Sequence, residues 1–225
     1  MIKKLLLDSA NLEEIKQALD YYPLLGITTN PTLLAKEINE GDAISHLHKI
    51  KHLLNDNQQL HIQTTKQEAK EIEDEALRIY NVFGYNCYVK IPCTKEGIKA
   101  MVLLRNKVKI TATLIYTPMQ GILATNAGAK YLAFYYNRME NNLIDPEKSF
   151  KILTNYINKN EFSTSILAAS FKNINQLSSA LNFGADLITI PYNLLEQICK
   201  NPIIIDGELN FIKDWKSSNL DKKWF

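Results

Sequence analysis

The chain has 225 residues, of which 46% are hydrophobic and 22% are charged. This composition supplies enough apolar side chains for a large core and excludes an intrinsically disordered protein. Lys and Arg together number 26 against 24 Asp and Glu, so the net charge is only +2. Such a balance gives no broad attraction to nucleic acid or to an anionic membrane, and we expect neither as a partner.

The amino terminus and the cysteines indicate the compartment. The first apolar run stops at Asp8, which makes it too short for a signal peptide or a membrane span. Cys87, Cys93 and Cys199 are an odd number without CxxC spacing, which argues against a disulfide framework and against a zinc cluster. We therefore expect a cytoplasmic protein with reduced thiols.

Short apolar runs alternate with longer helical patterns along the chain. Near-continuous apolar runs are typical of parallel strands that are buried on both faces. Eight runs predict such strands: KKLLLD at 3–8, LLGITT at 24–29, LHIQT at 60–64, NCYVKIP at 86–92, KITATLIY at 109–116, KYLAFYY at 130–136, TSILAAS at 164–170 and DLITIP at 186–191. The alternation disfavours an antiparallel sandwich.

Each predicted strand is followed by a segment with a helical pattern. These segments are 11–21, 43–55, 66–83, 95–105, 118–127, 146–158, 173–181 and 192–199. On length alone either one barrel or two small domains is possible. Because the chain contains no linker, repeat or low-complexity tract, eight β/α units predict a single α/β domain over 1–225, a (β/α)8 TIM barrel.

A further amphipathic helix is predicted at about 206–218, beyond what eight units require. It carries Phe211, Ile212 and Trp215 on one side. An extra apolar helix face predicts packing on the barrel or on a neighbouring subunit of a homo-oligomer.

Lys90 differs from the other lysines because it comes at the end of a predicted strand, among apolar neighbours. In a (β/α)8 barrel, residues at the carboxyl ends of strands face the chemistry. The lysines that open their strands can instead reach water at the opposite face; they are Lys3, Lys4, Lys109 and Lys130. Burial lowers the pKa of an amine, and only a neutral amine attacks a carbonyl. Lys90 is thus a candidate nucleophile; structural pairing with Asp8 is the alternative, and Lys172 is the rival amine.

Polar residues also lie at the carboxyl ends of the other predicted strands, where they would face the same mouth as Lys90. They are Asp8, Thr28, Thr29, Asn30, Gln63, Thr113, Tyr135, Asn137, Arg138, Ser170 and Lys172. Asp8 could instead cap the first helix, and Asn30 with Pro31 could form a turn. Schiff-base chemistry needs an amine and groups that transfer protons, which Asp8, Gln63, Thr113 and Tyr135 can supply or orient. It needs no metal and no cofactor.

Two further groups of residues have side chains that could bind an anion or a metal. Arg138, Ser170 and Lys172 would form an anion pocket that suits a phosphate, although a surface salt bridge of Arg138 is an equal alternative. His46, His48 and His52 lie close in sequence, but His46 points to a different side of the helix and no carboxylate or cysteine completes the set. We therefore predict no metal site there.

Two segments carry a specific resemblance to a known family. Gly26-Ile27-Thr28-Thr29-Asn30-Pro31-Thr32 and Tyr88-Val89-Lys90-Ile91-Pro92 resemble signatures of the transaldolase and fructose-6-phosphate aldolase family. Leu7-Asp8, the Thr113 strand, Tyr135-Tyr136-Asn137-Arg138 and 167–172 also match in order, so the resemblance runs essentially end to end.

The resemblance implies a (β/α)8 barrel whose Lys90 forms an imine with a ketose phosphate or dihydroxyacetone. It further implies that Asp8 and Asn30 are polar partners in the site and that Thr113 helps to place a catalytic water. Arg138 and Ser170 would hold the aldehyde-derived phosphate. Small members of the family form rings of subunits, so the resemblance implies a ring, for example a decamer.

The family contains two activities that differ after carbon-carbon cleavage. An aldolase releases dihydroxyacetone, whereas a transaldolase of the pentose phosphate pathway transfers it to a second sugar phosphate. Transaldolases typically carry Glu and Phe where the aldolases carry Gln and Tyr, and this chain has Gln63 and Tyr135. The resemblance therefore favours the aldolase, although Phe134 and Ala112 replace a Pro and a Gly of the aldolase pattern. A noncatalytic sugar-phosphate-binding barrel is the third hypothesis.

Overall fold

A computed structural model describes residues 4–38 and 42–218. Its eight strands form one closed barrel in which all neighbours are parallel and the last strand pairs with the first. The strands are β1 (Lys4–Asp8), β2 (Gly26–Thr28), β3 (Gln59–Gln63), β4 (Cys87–Pro92), β5 (Lys109–Ile115), β6 (Tyr131–Tyr135), β7 (Ser165–Ala169) and β8 (Leu187–Ile190). The predicted (β/α)8 barrel is confirmed.

Helices follow the strands as the alternation predicted, with two additions. Within the described ranges they are α1 (Leu12–Tyr21), α2 (Pro31–Glu37), α3 (Ala43–Leu53), α4 (Ala69–Phe83), α5 (Lys95–Leu104), α6 (Pro118–Asn126), α7 (Tyr136–Asn141), α8 (Pro146–Lys159), α9 (Ile174–Phe183), α10 (Tyr192–Cys199) and α11 (Pro202–Ser217). The short helices α2 and α7 were not predicted. Asn30 starts α2 as its N-cap, accepting from the Leu33 amide, and Pro31 occupies the first turn.

The chain divides into two compact units. The first extends to Tyr192 and contains the whole barrel, and the second begins at Asn193 and contains α11. Helix α11 starts at Pro202, four residues before the predicted 206, because Asn201 caps it by accepting from the Ile203 amide. None of the described helices is long and apolar enough to cross a bilayer.

Two glycines allow close backbone approaches that position the site-bearing strands. A Cβ on Gly26 would lie 2.1 Å from the Gln59 carbonyl oxygen, where β2 meets β3. A Cβ on Gly97 would lie 1.9 Å from the Pro92 carbonyl oxygen, where the first turn of α5 meets the end of β4. Only glycine fits such contacts. The end of β4, which carries Lys90, is therefore tightly enclosed by the helix that follows it.

A hydrogen-bonded layer of polar side chains fills the barrel interior beneath Lys90. At its centre is His61, which is fully buried, with its ring stacked 4.8 Å from that of Tyr88. His61 Nε2 lies 3.2 Å from Gln59 Oε1, and His61 Nδ1 lies 2.9 Å from Thr111 Oγ1. Because an amide oxygen only accepts, His61 carries its proton on Nε2 and accepts from Thr111 at Nδ1. His61 is thus a neutral member of the core.

Burial, assisted by the nearby charge of Lys90, holds the pKa of His61 well below its ordinary value of 6.5. The unfolded chain therefore binds more protons than the folded chain once the pH falls below about 6.5. The free energy of unfolding should decrease with falling pH, by up to about 1.4 kcal/mol per pH unit, until the folded pKa is reached. We expect His61→Gln to lose this component of the slope in urea unfolding between pH 7.5 and 5.

The exposed His52, whose ring bonds to the His48 carbonyl of its own helix, provides the control. His61→Gln should flatten the dependence of stability on pH more than His52→Gln does, because only His61 is buried away from water. A His61→Gln chain that loses as much stability on acidification as the wild type would contradict the assignment.

Candidate active site

A cavity of about 590 Å³ lies at the carboxyl ends of the barrel strands. Of the twelve side chains that the sequence predicts at this mouth, nine line the cavity: Asp8, Thr28, Asn30, Gln63, Lys90, Tyr135, Arg138, Ser170 and Lys172. Thr29, Thr113 and Asn137 do not. Thr113 is fully buried, and its Oγ1 lies 3.0 Å from the Tyr135 hydroxyl. The closed barrel therefore gathers residues from both halves of the first unit around one mouth.

Lys90 is the buried amine of this cavity, with 4% of its surface exposed. On β4 it lies in register with Gln63 of β3 and with Thr111 of β5. Its Nζ donates to the Thr29 carbonyl oxygen at 2.6 Å. Burial lowers the pKa of Lys90, and the charge of Asp8 opposes this shift only in part. The site thus favours the uncharged amine.

Asp8, at the end of β1, is the carboxyl group of the site. Its Oδ1 accepts from Thr28 Oγ1 at 2.7 Å, and Thr28 Oγ1 lies 2.7 Å from Thr189 Oγ1. Since the proton of Thr28 is directed to Asp8, the Thr189 hydroxyl donates to Thr28. Burial raises the pKa of Asp8, and Lys90 and the bond from Thr28 oppose that rise. The raised pKa makes Asp8 easier to protonate than a solvated carboxyl group, which suits a group that transfers protons.

Asp8 neither caps the first helix nor forms a direct ion pair with Lys90 among the described residues. Helix α1 is capped by Asn11, whose side chain accepts from the amides of Glu13 and Glu14, so Asp8 is not the cap. The ion pairs within 4.0 Å among the described residues do not include Asp8 with Lys90. Asp8 and Lys90 therefore line the same cavity without a direct ion pair.

Tyr135 presents its hydroxyl to the cavity from the end of β6. Burial raises the pKa of this phenol, although the bond to Thr113 and the charge of Arg138 oppose the rise, so it is protonated at neutral pH. Strand β5 contains a bulge next to the strand that carries Tyr135. The pairing of β5 with β6 shifts in register between Ala112 and Ile115. Leu114 in the bulge has φ 58° and lines the cavity. Bulges of this kind redirect side chains next to active sites.

Gln63 and Asn30 offer amide groups to a ligand. Asn30 uses its carbonyl oxygen to cap α2, which fixes its orientation and leaves its Nδ2 uncommitted among the described residues. Gln63 ends β3, half-buried, and its side chain makes no hydrogen bond within the described residues. Both can therefore bind hydroxyl groups or water in the cavity.

The outer part of the cavity is cationic. Arg138 on α7 and Lys172 line it, as does Lys36 on α2. The Arg138 Nη1 donates to the Tyr116 hydroxyl at 3.4 Å, and no ion pair among the described residues involves any of these three cations. The surface salt bridge considered for Arg138 is thus not seen. Three cations without acidic partners suit an anionic ligand.

The lining residues that the sequence did not predict include Lys36, Leu114 and Thr189. Thr189 lies inside a predicted strand, where alternation would have directed it to the barrel interior. Lys36 and Leu114 had no usable signal, because one depends on the unpredicted α2 and the other on the bulge. Conversely, Asn137 was expected at the mouth, but its Oδ1 accepts from Gln176 and it does not line the cavity.

Cys93 and the histidines of α3 do not line the cavity. Burial raises the pKa of the Cys93 thiol to about 11, and its Sγ donates to the Gln120 carbonyl. His46 Nε2 and His52 Nδ1 each bond to a backbone carbonyl oxygen. Among residues 4–38 and 42–218, no group of three or more His, Cys, Asp or Glu is arranged to hold a metal ion.

Comparison with a solved structure supports the architecture alone. Thiamine phosphate pyrophosphorylase from Pyrococcus furiosus superposes with a TM-score of 0.57 over 84% of this chain and 85% of that chain. Its sequence is 12% identical, so the likeness concerns the fold and carries no functional argument.

Sequence relatives match almost the whole chain. A probable fructose-6-phosphate aldolase from Streptococcus pneumoniae is 37% identical over 93% of this chain and 95% of its own length. A probable transaldolase from Thermoplasma acidophilum is 34% identical over 98% of both chains. The family model described as Transaldolase/Fructose-6-phosphate aldolase matches residues 5–222. This chain therefore belongs to the transaldolase/fructose-6-phosphate aldolase family.

Proposed function

We propose that the protein is a class I, Schiff-base-forming aldolase that reversibly cleaves fructose 6-phosphate to dihydroxyacetone and glyceraldehyde 3-phosphate. The observation that carries this proposal is the buried Lys90 amine, its pKa lowered, in a polar cavity that it shares with Asp8. A lowered pKa increases the fraction of the amine that is uncharged, and the uncharged amine is the form that attacks a ketone. Family membership supports the same chemistry.

In the first stage, Lys90 Nζ attacks the C2 carbonyl of the sugar phosphate and forms a carbinolamine. A proton reaches the oxygen, water leaves, and a cationic imine remains. Asp8 is the proposed acid/base group for these transfers, because it lines the same cavity and its pKa is raised. Thr28 holds this carboxyl in position through its 2.7 Å bond.

In the second stage, the imine withdraws the electrons of the breaking C3–C4 bond, leaving an enamine on Lys90. The C4 hydroxyl loses its proton, and glyceraldehyde 3-phosphate departs. Tyr135 is proposed to transfer this proton through a water held by Gln63, Thr113 and Tyr135 itself, since Thr113 and Tyr135 already lie 3.0 Å apart. Protonation and hydrolysis of the enamine then release dihydroxyacetone. Neither a metal nor a cofactor takes part.

The remaining polar groups are proposed to bind the substrate. Asn30, with its free amide nitrogen, and Thr28 would receive hydroxyl groups of the three-carbon donor half. Arg138, Ser170 and Lys172 would hold the phosphate, since the arginine fork matches phosphate oxygens and no described carboxylate neutralises it.

The second candidate function is transaldolase activity, in which the three-carbon unit passes from one sugar phosphate to another, for example between sedoheptulose 7-phosphate and glyceraldehyde 3-phosphate. Several relatives carry the name probable transaldolase. The same lysine and phosphate pocket would serve that reaction. Gln63 and Tyr135 favour the aldolase because they can hold the water that hydrolyses the enamine. A noncatalytic binding barrel is disfavoured, since a buried amine with lowered pKa is costly to retain without a use.

We also propose that the protein is a cytoplasmic homo-oligomer whose subunits form a ring, for example a decamer. Helix α11 supports this, because the unit that contains it leaves Ile203 and Phe211 more than three-quarters exposed. Apolar side chains in such positions mark a surface for association. A neighbouring subunit is the proposed partner of this helix.

The imine at Lys90 can be tested by chemical trapping. Sodium borohydride should link dihydroxyacetone or fructose 6-phosphate to the wild-type chain, giving the mass increase of the reduced adduct. Lys90→Met should show no adduct, because it keeps the apolar length of the side chain and removes the amine. Lys172→Met is the matched control, since it removes the rival amine of the same cavity. Labelling of Lys90→Met at the wild-type level would refute the assignment.

The fate of the three-carbon unit distinguishes the two activities. With fructose 6-phosphate alone, we expect steady release of glyceraldehyde 3-phosphate over many turnovers, measured with a coupled dehydrogenase. Substituting Gln63→Glu and Tyr135→Phe together should slow this release while acceptor-dependent transfer persists, because the hydrolytic water loses its partners. Product formation that requires erythrose 4-phosphate in the wild type would identify a transaldolase instead.

The phosphate role of Arg138 predicts a selective change in KM. Arg138→Gln should raise the KM for glyceraldehyde 3-phosphate by about 10-fold to 100-fold, since a charge-assisted hydrogen bond contributes roughly 1.5–3 kcal/mol. The KM for dihydroxyacetone and for unphosphorylated glyceraldehyde should change little. Equal increases for all three compounds, in steady-state synthesis assays, would show that Arg138 acts on the structure of the site and not on phosphate.

A further inference from the structure

A second cavity, of about 700 Å³, lies at the amino-terminal ends of β5 and β6, at the opposite end of the barrel from Lys90. Its charged lining residues are Arg105, Lys109 and Lys130, and its lining includes no Asp or Glu. We call it the basal pocket. In a chain with a net charge of only +2, three cations around one cavity are a local concentration of positive charge.

The cations of the basal pocket have no acidic partners among the described residues. Lys109 Nζ lies 3.2 Å from the centre of the Tyr85 ring, and Lys130 Nζ donates to the Ser163 carbonyl oxygen at 2.7 Å. Lys107, two residues before Lys109, is instead paired with Glu73 at 2.7 Å. Within the described residues, no carboxylate therefore neutralises the cations of the basal pocket, whereas Glu73 neutralises the neighbouring Lys107.

The backbone holds Arg105 against the pocket wall. Gly128 adopts φ 94°, and a Cβ at this position would lie 2.5 Å from the Cβ of Arg105. The loop before β6 therefore packs directly on the arginine stem. Ser163 adds a hydroxyl group to the lining and Asn106 adds an amide, whereas the buried Thr125 hydroxyl donates to the Gly121 carbonyl oxygen. An arginine fork, two ammonium groups and neutral donors are the set that phosphate oxygens require.

We propose that the basal pocket binds a small phosphorylated molecule. Its volume is in the range of small-molecule sites, and its concave shape, with Tyr85 and Phe162 in the lining, favours a compact ligand. This site is separate from the proposed catalytic mouth, although the two share a strand: Tyr88 lines the basal pocket and Lys90 lines the mouth. The proposal does not depend on the aldolase reaction.

Calorimetric titration with inorganic pyrophosphate tests this site. The full-length Arg138→Gln protein is used, so that phosphate binding at the mouth is weakened. We expect saturable binding to this protein, and a loss of affinity of at least about 10-fold when Arg105→Gln and Lys109→Gln are added. Lys130→Gln, made separately, should also weaken binding, which keeps the test valid if the double change impairs folding.

The matched control removes the same charge from elsewhere on the chain. Lys148→Gln with Lys159→Gln, both exposed on α8, should leave pyrophosphate affinity unchanged. Equal weakening in this control would show a general charge effect and overturn the proposal, as would the absence of binding to the Arg138→Gln protein. Citrate bound as tightly as pyrophosphate would overturn the assignment to a phosphorylated ligand.

Discussion

The removal of Lys90 from water is the constraint on which the rest of the site depends. An ammonium group in an apolar interior loses its hydration, so burial stabilises the uncharged amine. The structure partly compensates by directing Nζ to the Thr29 carbonyl, while Asp8 faces the same cavity without a direct ion pair. A close ion pair with Asp8 would stabilise the charged form of Lys90 and so raise its pKa, which would leave less of the nucleophilic amine. The arrangement gives up some stability at neutral pH for reactivity.

Close backbone contacts and two strained residues enclose the cavity that contains Lys90. Close approaches at Gly26 and Gly97 hold β2 against β3 and α5 against the end of β4. Leu114 and Ser170, both residues with left-handed backbone conformations, lie at the rim of the cavity. Residues other than glycine rarely adopt this conformation, and such strain concentrates at functional sites. The mouth is therefore built from strand ends and from two strained residues, Leu114 in the bulge of β5 and Ser170 directly after β7.

Much of the architecture could be predicted because parallel barrels impose simple rules. Eight apolar runs predicted the strands, and the rule that chemistry lies at their carboxyl ends brought together Lys90, Asp8 and Tyr135 without any knowledge of the fold's details. That rule works because side chains at the ends of parallel strands share one edge. The activity itself came from the resemblance, since position alone does not distinguish an imine-forming lysine from a structural one.

The missed features have physical reasons. The Asn30-Pro31 pair is compatible with a turn as well as with the start of a helix, so α2 and Lys36 were not foreseen. The bulge that turns Leu114 toward the cavity is a change of register between two strands, which a single sequence does not reveal. His61 occupies a strand position that faces the interior, but its partners come from β3 and β5, and their meeting depends on the barrel's stagger.

The central claim is that the fold keeps the Lys90 amine uncharged more readily than any solvated lysine. Its most direct measurement is an NMR titration of protein labelled with ¹³C at lysine Cε, with the Lys90 resonance assigned by its absence from a Lys90→Met sample. The account predicts that Lys90 titrates at a lower pH than the solvated lysines, whose ordinary pKa is about 10.4. A Lys90 resonance that titrates together with those lysines would contradict it.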